Sequence, residues 1–226
     1  MGLKGRVGRS LAPRITQLAP DLTTGFVREA LARAVAGVGP LPPAVKAADK
    51  QLAEQGGHVD RAIHEVIENH VRLAGAQGFA TNIGGLVTAA VTIPANVTGV
   101  TLLQCRMVAA IAHLRGHDLD DPRVRNAVLV TLLGEDTVAK MVRKGELPGS
   151  PMALATAPGT TPELDRTVSR VVATDLVSRV VGKRMATTVG KRVPVVGGLV
   201  GAGADGYATW KLGRYADREL LPRTRR

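Results

Sequence analysis

The chain has 226 residues, a formal net charge of +11 and a hydrophobic content of 45%. This length fits one large domain or two small ones, with enough apolar side chains to fill a sizeable core. Phe, Tyr and Trp make up only 2% of the residues, which argues against nucleic-acid modules that stack bases on aromatic rings and against a β-sandwich or barrel. We therefore expect an all-α fold and no nucleic-acid partner.

Helical periodicity dominates the N-terminal third of the chain. Apolar residues recur every three or four positions from Thr23 to Ala36, and a glycine followed by prolines ends that first helix. A second helix is predicted from about Pro43 to Gln55, and a third from about Val59 to Ala76 with one apolar stripe. His64 and His70 lie in the third helix at a spacing that does not suit a zinc pair, so a solvated polar face is expected there.

Residues 73–105 contain no Asp, Glu, Lys or Arg. As one helix this run would reach ~50 Å, well beyond the ~30 Å of a hydrocarbon core. Pro94 instead divides it into a short apolar segment, Phe79 to Thr92, and a helix that is expected to stop at Gly116. We predict a compact multi-helix domain around a central apolar Gly/Thr-rich helical hairpin, either buried in the protein or dipping into a membrane.

Arg106 is the first charged residue after this run, and it lies on the flank of an apolar stripe. A cation in that place needs a carboxylate, a carbonyl or an anionic headgroup. A structural ion pair and a lipid-phosphate contact both satisfy this need, and the sequence leaves the two open. His113 follows two turns later on the same side of the helix.

The C-terminal part is the most basic. Residues 135–226 carry 16 basic and 9 acidic side chains, whereas residues 1–75 carry 10 and 7. Paired cations in this part are suited to anionic headgroups, at ~1 kcal/mol for each charge near the surface. The predicted contacts with lipid or another anion are Arg106, His113, Lys183, Arg184, Lys191 and Arg192.

A second candidate site lies around His113 and His117. These histidines are four residues apart, and three aspartates follow within residues 118–121. The pattern allows an alternative function, a metal-dependent hydrolase or lipid-modifying enzyme. Gly116 interrupts the helix between them, so the aspartates are better interpreted as the cap of the next helix. We expect no metal, no cofactor and no catalytic residue.

The second half of the chain is also predicted to be helical. The Asp-Pro pair at 121–122 predicts an N-cap and a first helical position, with a helix to about Leu133. Another short helix is expected from Glu135 to Lys144. Residues 146–162 are rich in Pro, Gly and Thr and predict a flexible loop. A helix restarts at Pro162, and a Gly-rich C-terminal helix ends the chain.

Two other features are interpreted as structural. Cys105, the single cysteine, lies in an apolar helical pattern and is expected to be a buried, inert thiol in a reducing compartment. Gly201-x-Gly203-x-x-Gly206 matches a dinucleotide-binding string, but only 20 residues follow it, too few to complete a βαβ unit. Glycines at Gly197 and Gly201, and the small pair Gly198 and Ala202, instead predict close helix packing.

The stretch 84–134 resembles the EcsC family. The residues that carry the resemblance are Gly84-Gly85, Ile93-Pro94, Arg106, Ile111-Ala112, Gly116-His117-Asp118-Leu119, Val128-Leu129 and Gly134, followed by the Gly-rich tail from Arg192 to Ala216. Thr92 stands where the family has an acidic residue, and Arg115 stands where it has an aromatic one. The resemblance implies a helical, membrane-associated bacterial protein, from a family named after an operon with an ABC transporter, and it implies no catalytic residue.

The sequence predicts two parts: residues 1–40 with a basic segment and the first helix, and residues 41–226 as the EcsC-like helical domain. The expected function is non-enzymatic binding of lipid or another apolar surface, with anionic membrane lipid as partner, a membrane protein as a further partner and a role accessory to membrane transport. The expected location is the cytoplasmic face of the membrane. The oligomeric state is left open.

Overall fold

The computed structural model describes residues 20–37, 41–83, 95–189 and 194–223. These residues form nine helices and no β-strand, which confirms the predicted all-α fold. In chain order the helices are α1 (Pro20–Ala36), α2 (Ala44–Glu54), α3 (Val59–Ile83), α4 (Ala95–Leu114), α5 (Pro122–Thr131), α6 (Glu135–Arg143), α7 (Pro151–Ala155), α8 (Pro162–Val189) and α9 (Pro194–Glu219).

Local signals set several helix ends. Asp121 is the N-cap of α5, and its carboxylate accepts a hydrogen bond of 2.8 Å from the Arg123 backbone N–H. Gly116 has a φ of +84°, a left-handed conformation that favours glycine, directly after the end of α4. The predicted cap and the predicted stop are both confirmed.

The central hairpin is described in part. α3 continues to Ile83, seven residues beyond the predicted end, so glycines at 75 and 78 do not terminate it. α3 and α4 pack against each other, but the first arm of the predicted hairpin, Phe79 to Thr92, is described only as far as Ile83, where it continues α3. Gly84-Gly85, Thr92 and Pro94 lie in the connection 84–94, outside the described residues.

The segment 146–162 differs from a plain loop because it contains the short helix α7. Ser150 caps this helix, accepting from the Ala153 backbone N–H at 3.4 Å, and Pro151 occupies its first turn. Leu147, Leu154 and Ala155 are buried. Apolar anchoring therefore attaches this segment to the core, which its Pro, Gly and Thr content did not suggest.

α4 is the centre of the molecule. It packs against α1, α2, α3, α5 and α9, and every residue from 103 to 112 is buried. α1 also packs against α8, so the first helix contributes to the same core as the later ones. Polar residues in the middle of α4, such as Gln104 and Arg106, are consequently less than 9% exposed.

A close helix contact joins α9 to α3 and α4. A methyl carbon added at Gly213 would lie 2.8 Å from Ile67 Cγ1 and 3.1 Å from Met107 Sδ, closer than side chains pack. One turn back along this face, Thr209 is fully buried, and Gly206 faces Val71. The absence of side chains at two positions lets α9 approach α3 closely. Gly197, Gly198, Gly201 and Ala202 belong to α9, but their packing lies outside what the structure describes.

We expect Gly213→Ala to be less stable than Gly203→Ala by about 1–3 kcal/mol, the usual cost of overpacking. Both changes lie inside α9 and gain the same helix propensity, but Gly203 is exposed and has nothing within 4 Å of an added methyl carbon. Urea unfolding measures the difference in the free energy of unfolding. Equal stabilities would contradict the close contact of α9 with Ile67.

Candidate functional site

Arg106 is a buried cation in the middle of α4. The side chain belongs to a residue that is only 4% exposed, and its Nη1 donates to the backbone carbonyl of Pro42, in the turn that leads into α2. Desolvation lowers the pKa of the guanidinium below its ordinary value. Among the described residues no carboxylate pairs with it. The sequence left open whether Arg106 forms a structural ion pair or contacts an anion. The structure shows neither among the described residues, because the partner of Arg106 is a neutral carbonyl.

His70 lies in α3 and is 6% exposed. Its Nδ1 is 2.7 Å from the Val66 carbonyl oxygen, and because a carbonyl can only accept, Nδ1 carries the hydrogen and donates. Nε2 is buried and has no hydrogen-bond partner among the described residues. The solvated polar face that the sequence predicted for His70 is therefore wrong.

Arg106 and His70 are coupled electrostatically. Burial is the main cause that lowers the pKa of His70 to about 4, and the nearby Arg106 charge lowers it further, while the hydrogen bond to Val66 raises it. His70 is accordingly neutral at pH 7. Both residues are buried, His70 on α3 and Arg106 on α4, and we refer to them as the Arg106–His70 pair.

The periodicity of α3 contained the signal that was missed. Ile63, Val66, Ile67 and Ala74 are buried, and His70 continues their spacing of three and four residues. A histidine in register with an apolar stripe is expected inside the protein. Spacing to His64 alone was the wrong criterion.

His113 has a different partner. Its Nε2 is 2.8 Å from the Asp49 carboxylate on α2. Since Arg106 bonds to Pro42, both side chains face the segment 42–49, and they do lie on one side of α4. This carboxylate gives His113 a structural role, and its predicted anion contact stays a prediction.

His117 and Arg115 attach the C-terminal tail to the end of α4. His117 is 2% exposed, its Nε2 donates to the Leu221 carbonyl at 3.0 Å, and burial lowers its pKa. Arg115 bridges Asp60 at 2.9 Å and Asp217 at 2.7 Å.

The described part of the chain contains no group of three or more His, Cys, Asp or Glu side chains placed to hold a metal ion. His113 and His117 bond to different elements, one to α2 and the other to the tail that follows α9. The geometry therefore gives no support to the alternative of a metal-dependent hydrolase.

The four remaining predicted contacts cannot be placed as side chains. Lys183 and Arg184 belong to α8, but their side chains lie outside the described part of the structure, and Lys191 and Arg192 lie in the undescribed segment 190–193. Their role in anion binding stays a prediction.

Cys105 is fully buried, and burial raises the pKa of its thiol to about 12. A thiol with so little thiolate at neutral pH is a poor nucleophile. The predicted burial of Cys105 is confirmed, and its inertness stays a prediction.

The outer face of α9 carries an exposed aromatic pair. Tyr207 is 66% exposed and Trp210 is 41% exposed, and their stacked rings lie 6.0 Å apart between centroids. Lys211 and Arg214 are exposed next to them on the same helix. Sequence reasoning missed this pair, although its spacing of three residues on a predicted helix was visible in the sequence.

A cleft of about 210 Å³ lies between the start of α6 and α9. The charged side chains that line it already have partners: Lys211 pairs with Asp136 at 2.8 Å, and Arg179 pairs with Asp175 at 2.6 Å. Its apolar lining comes from Leu132, Leu133 and Leu212. The cleft offers space but no free charge among the residues described.

The fold and these side chains define a class: an all-α protein with a buried basic pair and, in the part that is described, no catalytic constellation. The model of the EcsC protein family matches residues 7–224, and the chain therefore belongs to the EcsC family. The match includes α1, which the sequence had placed in a separate N-terminal part. No curated protein and no solved structure matches the chain. None of the described helices is both long enough and apolar enough to cross a membrane.

We expect the stability of the protein to fall by about 2–3 kcal/mol between pH 7 and pH 4.5 because of His70 alone. The unfolded histidine titrates near 6.5 and the folded one near 4, so in this window the unfolded chain binds a proton that the folded chain does not. Stability therefore rises with pH across the window and is lost as the pH falls.

Urea unfolding of the wild-type protein and of His70→Asn at both pH values isolates this contribution. The asparagine amide keeps a donor for the Val66 carbonyl but does not titrate, so the pH dependence should be smaller by that amount. An identical pH dependence in the two proteins would show that His70 titrates normally.

Proposed function

We propose that this protein is a peripheral membrane protein that binds anionic lipid through the outer face of α9. The observation that carries the proposal is the exposed, stacked pair of Tyr207 and Trp210. Trp and Tyr combine an apolar ring with a polar edge, and they are the residues most enriched at the boundary between headgroups and hydrocarbon.

Composition makes this exposure informative. The chain has two Phe, two Tyr and one Trp, yet two of these five rings are exposed on one helix. Leu73 and Leu221 are the other large apolar side chains with comparable exposure among the described residues. A helix that lies in the interface with an aromatic side toward the lipid fits this pattern.

Charge supplies the preference for anionic lipid. Residues 176–226 carry 11 Lys and Arg against three Asp and Glu. The excess positive charge belongs to the segments that flank α9, because α9 itself carries three residues of each sign. On the face itself, Lys211 pairs with Asp136 and Arg218 pairs with Glu135. Exposed pairs of this kind contribute only about 0–1 kcal/mol. A cation near an anionic surface gains ~1 kcal/mol, so Lys211 and Arg218 can exchange their carboxylate partners for lipid headgroups at little cost.

The finer parts of the proposal follow from the sequence. A single buried cysteine fits a reducing compartment, which makes the cytoplasmic face the proposed side of the membrane. A helix at the interface would lie beside integral membrane proteins, and a role accessory to membrane transport is the proposed context. Co-purification with a transporter tests that context separately from lipid binding.

Trp210 reports directly on the proposed surface because it is the only tryptophan in the chain. We expect its fluorescence to shift to the blue when anionic vesicles are added, with a much smaller shift for zwitterionic vesicles, since the ring moves from water into the interface. The shift with anionic vesicles should decrease as salt is added. An unchanged spectrum with both vesicle types would contradict the proposal.

Vesicle flotation with matched variants tests the face itself. Tyr207→Ser should weaken recovery with anionic vesicles by about tenfold, because one buried ring is worth about 1.5–3 kcal/mol. Leu221→Ser removes an exposed apolar side chain outside α9 and should float like the wild type. Equal losses in both variants would mean that the protein sticks to vesicles non-specifically, and no loss in either would assign this face to a different partner, such as a protein.

A further inference from the structure

We propose that Glu135 and Asp136, the first two residues of α6, restrict membrane binding to strongly anionic surfaces by pairing with the cations of the α9 face. This inference rests on the proposed lipid-binding function and names the residues that regulate it. The partner is the same layer of anionic headgroups, and the two acids determine how much anionic lipid that layer must contain.

The cations of α9 lie on the same side of the helix as its two exposed rings. At ~100° per residue, an arc of about 100° holds both rings and every Lys and Arg of the helix, namely Tyr207, Trp210, Lys211, Arg214 and Arg218. All five residues are exposed. The positive charge of α9 therefore belongs to the side that is proposed to meet the lipid.

The first turn of α6 reaches two of these cations. Lys211 Nζ lies 2.8 Å from Asp136 Oδ2, and Arg218 Nη2 lies 2.6 Å from Glu135 Oε2. The hydrogen bond between Lys211 and Asp136 lowers the pKa of the carboxyl group and raises the pKa of the amine, so both groups are charged at neutral pH. Two of the three cations on the arc are thus paired with the start of α6.

The two carboxylates lie at the protein surface beside these cations. The side chains of Glu135 and Asp136 are 52% and 86% exposed. Breaking an exposed pair costs little, but the carboxylates stay on the chain close to the cations, where they repel anionic headgroups. The anionic surface acts on the two charges of each pair in opposite directions. Binding then depends on the remaining cations, which need a surface of higher charge density.

α6 meets α9 through these side chains across a cleft. Glu135, Asp136 and Lys211 line the cleft between the two helices. Of the nine residues of α6, all of them described, only Val138 is buried. Gly134, which precedes the helix, has a φ of +80° and open space around it. The start of α6 therefore contributes charge to the α9 face and little to the core, as expected for a regulatory contact.

Vesicle flotation with increasing phosphatidylglycerol in phosphatidylcholine tests the acids through Glu135→Gln/Asp136→Asn. At intermediate anionic content we expect this double variant to bind about tenfold more tightly than the wild type, because the carboxylates no longer oppose the headgroups. Half recovery should occur at a lower anionic fraction, and recovery with pure phosphatidylcholine should not change. Circular dichroism checks the helix content, since acids also stabilise a helix N-terminus.

Glu54→Gln/Asp120→Asn is the matched control, because it makes the same change in net charge by the same kind of substitution. Glu54 pairs with Lys50 at 3.6 Å within α2, and Asp120 pairs with Arg125 of α5 at 2.9 Å. We expect a much smaller gain in binding, since these acids do not pair with cations of the α9 face. Equal gains in the two double variants would show that net charge alone matters and would overturn the proposal.

A double-mutant cycle with Lys211→Gln shows whether the acids act through the cations. In the wild type this change should weaken anionic binding by less than about twofold, since Asp136 already opposes the charge of Lys211. In Glu135→Gln/Asp136→Asn the same change should weaken binding by about fivefold. Equal losses in the two backgrounds would contradict a local action of the acids.

The outcomes separate this inference from the membrane function on which it rests. If the wild type binds anionic vesicles and Glu135→Gln/Asp136→Asn gains nothing, the regulatory role of the acids is wrong and the membrane function stands. If neither protein binds at any anionic fraction, both proposals are wrong. Binding by the variant alone would support the regulatory role in its strongest form.

Discussion

The close approach of α9 to α3 is the constraint on which the rest of the fold depends. With aromatic residues at 2% of the chain, the core has few large side chains to fill space between distant helices. The gap is closed instead by bringing backbones together, and Gly213 against Ile67 and Met107 is the point where no side chain fits. Tight packing of small residues recovers dispersion energy that bulky rings would otherwise supply.

This way of building a core sets the environment of its polar groups. α4 packs against five helices, and Arg106 in its middle is consequently only 4% exposed. The same burial lowers the pKa of His70 to about 4. Replacing a buried charge by an apolar side chain of similar volume is often neutral or stabilising. The observed role of this arginine is its hydrogen bond to the Pro42 carbonyl, which joins α4 to the turn before α2.

Short-range chemistry made much of the fold predictable. The Asp-Pro pair at 121–122 and the left-handed Gly116 define helix ends through their own backbone preferences, and both were located from the sequence. α7 was missed although Ser150 and Pro151 form the same kind of start, because its five residues are too few to show periodicity. The extent of α3 to Ile83 was missed as well, since packing against α4 and α9 outweighs the glycines.

The candidate site, like the fold, was predicted only in part. Arg106 was predicted because it is the first charged residue after a long uncharged run, a feature of the linear sequence. Its counterpart was not, because His70 is far away in sequence and its relation to Arg106 exists only once α3 packs on α4. The partner of a polar side chain depends on the folded structure and cannot be read from the sequence. His113 lies 2.8 Å from the Asp49 carboxylate, whereas Arg106 donates to the Pro42 carbonyl.

α9 shows how the composition and the surface are related. In most helices of soluble proteins the large apolar side chains point inward, and small side chains occur on either side. On α9, Leu212 and Tyr215 are buried in this way, whereas Tyr207 and Trp210 are exposed. Exposed rings gain nothing from folding, since their surface stays in water. Their hydrophobic free energy is realised only when another apolar phase covers them, and a bilayer interface accepts both the rings and the cations beside them. The two exposed rings of α9 thus remain outside the folding reaction and available for association.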